Sequence, residues 1–98
     1  MPEEVLTITF IIPSYLRVHA RGQSQVEISI SATTLAEALA ALWLAFPGLR
    51  DRVVNEQGQV RQHVNIFVGD DNIRDCGGLA APVHDGCEIM IVPNIAGG

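Results

Sequence analysis

The stretch "TTLAEALAALWLAFPG" (residues 33–48) decides the architecture. Thr34 is followed three residues later by Glu37, the spacing of a capping box. In that motif a hydroxyl and a carboxylate each satisfy a backbone N–H that the first helical turn leaves unpaired. The spacing predicts a helix from Thr34, closed by Pro47-Gly48, since proline and glycine both interrupt helical hydrogen bonding. Leu35, Leu39, Leu42 and Phe46 recur at helical spacing and form the predicted buried stripe. Leu44 falls opposite that stripe and is expected to be exposed, with Trp43 at the flank.

Outward from this helix the pattern changes period. Upstream, "VLTITFII" (residues 5–12) is rich in β-branched residues and reads as a strand that Pro13 ends. "SYLRVHARGQSQ" follows as a turn or loop bent at Gly22. "VEISIS" (residues 26–31) alternates apolar and polar residues, as a half-buried strand does, and would pair with the first strand as a hairpin. Downstream, "LRDRVVNEQGQ" is an irregular or short helical connection. "VRQHVNIFV" (residues 60–68) is the third strand, with Val64, Ile66 and Val68 on one face. "GDDN" reads as a tight turn and "NIRD" as a short edge strand. "CGGLAAPVHDG" is loop, and "CEIMIVP" is the last strand, with Ile89 and Ile91 on one face. The order β-β-α-β-β-β describes an α+β roll: a mixed sheet with one main helix on one face.

That single helix leaves the other sheet face open. Alternation places Phe67 opposite Val64, Ile66 and Val68, and Met90 and Val92 opposite Ile89 and Ile91. Exposed apolar residues in a cluster mark partner surfaces. Phe67, Met90 and Val92 are therefore candidate partner-binding residues.

Bulk properties exclude several classes. The 98 residues suit one domain, and 48% are apolar, enough for one core. The formal net charge is −5, with six scattered arginines and no lysine. A phosphate backbone requires a basic stripe, so nucleic-acid binding is not expected. An acidic surface suits a protein partner with a basic dock. The acidic start "MPEE" lacks the character of a secretory signal. The longest apolar run, residues 38–46, is too short to span a membrane. A soluble, cytoplasmic chain is expected. Cys76 and Cys87 fit no metal spacing and read as free thiols. His19, His63 and His84 belong to no motif and read as surface or loop residues. No metal site is expected.

The chain closes on "VPNIAGG", two bare glycines directly after the last strand. The stretches "LRVHARG", "TLAEALAALWLAFPGLRDRV", "HVNIFVGDDNIR", "GGLAAPVHDG" and "IMIVPNIAGG" together resemble the MoaD/ThiS family of prokaryotic sulfur carriers. The internal "GGLA" and the long loop before His63 look most like its longer members, above all the carrier of an alternative cysteine pathway. The resemblance implies a β-grasp, or ubiquitin-like, fold. It implies one domain over residues 1–93 and a flexible diglycine tail over residues 94–98.

It also implies chemistry at the chain end. In the family an E1-like adenylating enzyme uses ATP and magnesium to join the terminal carboxylate to AMP. A sulfur donor protein then converts that end to a thiocarboxylate, which a downstream sulfur-accepting synthase consumes. Carried to this sequence, Gly98 is the adenylated and sulfur-bearing residue and Gly97 its slender neighbour. Ile95 joins Phe67, Met90 and Val92 in partner binding. Glycine suits a narrow channel because it lacks a Cβ. On this reading the chain is a protein co-substrate, with no catalytic residues and no bound cofactor. Two other uses of the same features are a covalent modifier joined to target lysines and a plain binding subunit. The receiving pathway (cysteine, molybdopterin or a related metabolite) stays open.

Overall fold

A computed structural model describes residues 5–93. Strands β1 (Leu6–Ile11) and β2 (Gln25–Ile30) pair antiparallel as the expected hairpin. Helix α1 (Leu35–Ala45) follows, then a second helix α2 (Pro47–Val53). Strands β3 (Val64–Val68), β4 (Asp71–Asn72) and β5 (Glu88–Pro93) complete one sheet of order β2-β1-β5-β3-β4. The last strand runs parallel to the first at the centre, and every other pairing is antiparallel. A mixed sheet with its first and last strands adjacent and helices on one face is the β-grasp arrangement.

The capping box forms as its spacing predicts. Thr34 accepts from the Glu37 backbone N–H at 3.4 Å, and Glu37 accepts from the Thr34 backbone N–H at 3.1 Å. Leu35, Leu39 and Leu42 are buried against Ile8, Phe10, Ile66, Ile89 and Ile91 in one core. Leu44 is 86% exposed, as its position opposite the stripe requires. Trp43 is half-buried at the core's margin.

Phe46 departs from the expected stripe, being only half-buried. It lies between the two helices at φ −137° and ψ 78°, so helical spacing from Leu42 no longer fixes its direction. Its ring instead carries the Arg21 guanidinium at 6.0 Å from the centroid. Pro47 ends α1 and also opens α2, a position where its missing N–H is harmless. Leu49 and Val53 of α2 then continue the buried stripe.

Three further segments differ from the sequence reading. Residues 14–20, read as loop, form a 3-10 helix (Ser14–Ala20) that buries Leu16 and Ala20. It ends at Arg21 and Gly22, both with positive φ, so Gly22 does mark the bend. The third strand begins at Val64 rather than Val60. Asn55 accepts from the Gln57 and Gln59 N–H groups at 2.9 and 3.0 Å, which folds residues 55–59 into a loop. Val60 keeps only an isolated bridge to Val54. The edge strand is Asp71–Asn72, and "NIRD" mostly is not strand. Val68 pairs with Asp71, leaving Gly69-Asp70 as a two-residue turn with Gly69 at φ +62°. The Asn72 side chain accepts from the Arg74 N–H at 3.0 Å, turning Ile73–Asp75 into 3-10 helix with Ile73 buried.

Candidate functional site

The face of the sheet away from the helices gathers the predicted apolar residues. In register, Met90 stands directly between Ile11 of β1 and Phe67 of β3. Val92 lies two residues along β5 on the same face, opposite Asn65. Met90 is exposed at 38%, while Phe67, Val92 and Ile11 are half-buried. Phe67 gains part of its cover from the short edge strand, where Asn72 is its partner. Ile11 is a member of the patch that the sequence reading omits, although its alternation with buried Ile8, Phe10 and Ile12 carries the signal.

The rim of this patch is acidic. Thr9 pairs with Glu27 on one side and Glu88 on the other, so both carboxylates stand one row from Met90 on the same face. Arg74 braces the far side. Its Nε donates to Asn65 Oδ1 at 3.1 Å, and its Nη2 donates to the Val64 carbonyl at 2.9 Å. The arrangement is an apolar bar of Ile11, Met90 and Phe67 with two carboxylates along one edge and Arg74 at another.

Pro93, the last described residue, pairs with Val64. Because β5 is parallel to β1, both strands finish at the same end of the sheet. The predicted site residues Ile95, Gly97 and Gly98 lie outside the described residues.

The remaining candidates are dispersed, with one exception. Cys87 is buried, Cys76 is half-buried, and both are free thiols. Among the described residues no three of His, Cys, Asp and Glu converge as metal ligands. No helix among them is long and apolar enough to cross a membrane. The exception is His19 and His63, which share a cleft with Tyr15, Arg52 and Arg61 at the sheet end where β5 finishes. Nothing in their sequence spacing announces that meeting.

The fold defines a ubiquitin-like protein of the β-grasp class with an open apolar sheet face. The chain belongs to the ThiS family, which matches residues 13–98. It is 36% identical over 95 residues to the sulfur carrier protein CysO of Mycobacterium tuberculosis, covering 95% of this chain and 100% of that protein. The crystal structure of the Amycolatopsis orientalis BexX/CysO complex contains a chain that superposes with a TM-score of 0.82 at 34% identity. That match covers 93% of this chain and 99% of the other. Small archaeal modifier protein 3 of Haloferax volcanii is 31% identical over 65 residues, covering 66% of this chain and 70% of that protein.

Proposed function

We propose that this protein is a sulfur carrier for cysteine biosynthesis, with the Gly98 carboxylate as its working group. The observation that carries the reading is the 36% identity to CysO across nearly the whole chain, with the family match running through Gly98. Residues 1–93 act as the docking domain and residues 94–98 as the reach.

A carboxylate acylates poorly because its oxygen is a poor leaving group. Adenylation by an E1-like enzyme joins a Gly98 carboxylate oxygen to the α-phosphorus of ATP and releases pyrophosphate. Hydrosulfide attacking the Gly98 carbonyl carbon expels AMP and, on losing its proton, leaves a thiocarboxylate. A donor protein's persulfide attacking instead gives an acyl disulfide, which a second thiol cleaves to the thiocarboxylate, forming a disulfide with the donor sulfur. The carrier supplies the acyl end and the apolar bar of Phe67, Met90 and Val92, with Ile95 of the tail as a further contact for the partner. Mutual positioning dominates such a step, since a 1 Å misplacement can lower a rate about a hundredfold. Bare Gly97 and Gly98 admit the chain end to a narrow channel.

The similarity to a small archaeal modifier protein favours a second use of the same end, transfer of the activated Gly98 to a target lysine. This chain has no lysine, so it cannot extend into lysine-linked polymers of itself.

The test is mass spectrometry after incubation with a cognate adenylating enzyme, ATP, magnesium and a sulfide source. The intact chain gains the mass difference of one sulfur replacing one oxygen, mapped to the terminal carboxyl. Deleting Gly98 shortens the reach by about 3.5 Å and abolishes loading with the fold unchanged. Loading that persists in the deletion, or maps to Cys76 or Cys87, overturns the reading. A Gly98 isopeptide adduct recovered from cells moves it to the modifier.

A further inference from the structure

A cleft of about 370 Å³ lies between the 3-10 helix Ser14–Ala20, helix α2 and the approach to β3. Its walls carry Tyr15, His19, Asp51, Arg52, Arg61 and His63. This brings together two of the six arginines and two of the three histidines of an acidic chain.

Among the described residues one of the donors is preset and the others are unengaged. Arg61 Nε donates to the Asp51 carbonyl at 2.9 Å, which fixes its guanidinium while leaving the Nη groups available. Arg52, His19, His63 and the Tyr15 hydroxyl have no polar partner among the described residues. Burial pushes the Tyr15 phenol above its ordinary pKa, so it remains an O–H donor at neutral pH. Asp51 is the one carboxylate on the walls, and Arg50 Nη1 sits 3.3 Å from it, partly offsetting its charge.

We propose that this cleft is a binding site for a small oxyanion of the phosphate or carboxylate class. Guanidinium groups present paired N–H donors that match the two oxygens of a carboxylate or phosphate edge. An imidazole and a phenol add single donors around the same centre. The assignment does not depend on sulfur chemistry at Gly98. Two sources could supply the ion: free anion in solution, or the chain's own terminal carboxylate. The second is within range, because the five residues after Pro93 span at most about 17 Å, and Val64, Pro93's partner, directly follows His63.

The test is an NMR titration of the labelled full chain with inorganic phosphate at constant ionic strength, following the His19 and His63 imidazoles and the Arg52 Nε–H. Saturable shifts are expected. Arg52→Ala should weaken binding about tenfold, the loss of one charge-assisted hydrogen bond. Arg21→Ala, outside the cleft, should leave it unchanged. His63→Gln is the second variant, should Arg52→Ala disturb the spectrum as a whole. A chain with an amidated C-terminus separates the sources. Tighter phosphate binding after amidation identifies the tail carboxylate as the resident ion, and equal binding identifies free anion. Shifts that never saturate, or binding unaffected by both cleft variants, overturn the site.

Discussion

The Glu37 carboxylate accepts from the Thr33 N–H and hydroxyl, each at 2.9 Å, and from the Thr34 N–H at 3.1 Å. The Thr33 backbone bond first, then the Thr33 hydroxyl and the Thr34 backbone, hold its pKa below the ordinary glutamate value. A depressed carboxylate pKa stabilises the fold fully above the unfolded value and loses that contribution as pH falls through the folded one. Glu37→Gln should therefore be less stable than the parent at neutral pH, by denaturant unfolding. The gap should close as acid protonates Glu37. A gap constant with pH would mean the carboxylate acts only as a shape. Thr34→Ala, which removes the hydroxyl half of the box, should lose about 1 kcal/mol.

At the scale of elements, α1 makes a sharp comparison possible within one helix. Leu39 is 2% exposed and Leu44 86%. Leu39→Ala should destabilise by about 2–5 kcal/mol through lost burial and a cavity, while Leu44→Ala should stay within about 0.5 kcal/mol. Equal effects in thermal melts would contradict the stripe. This helix is legible in the sequence because a capping box and a 3.6-residue stripe are local signals that the core reinforces. The alternation of β1, β3 and β5 is legible for the same reason, and period two alone is enough to put Met90 and Phe67 on the open face. Elsewhere side chains override the run of residues. Asn55 and Asn72 each bind backbone N–H groups two or more residues on, which delays β3 and ends β4 early. Gly69-Asp70 is itself a two-residue hairpin signal, obscured by the polar run after it. Phe46 departs because helical spacing does not carry past the helix end. The cleft of His19 and His63 is not legible, because tertiary packing alone joins residues 44 positions apart.

Across the whole molecule the two faces of the sheet are specialised. One is sealed by α1 and α2 around Ile8, Phe10, Ile66, Ile89 and Ile91, all fully buried. The other presents the Ile11–Met90–Phe67 row with Glu27 and Glu88 at its edge. Stability and association should therefore respond to different substitutions. Phe67→Glu puts a further negative charge at the β3 end of the apolar row. If the row is the dock for an adenylating enzyme, an anchor there is worth about 2 kcal/mol or more, so affinity by calorimetry should fall about thirtyfold. Loss of half-buried apolar surface should lower the melting temperature less than Leu39→Ala does, because Phe67 still meets solvent. A melting loss as large as that of Leu39→Ala would place Phe67 in the core. Unchanged affinity in a folded variant would instead move the dock off this face, leaving the acidic surface elsewhere to meet the partner.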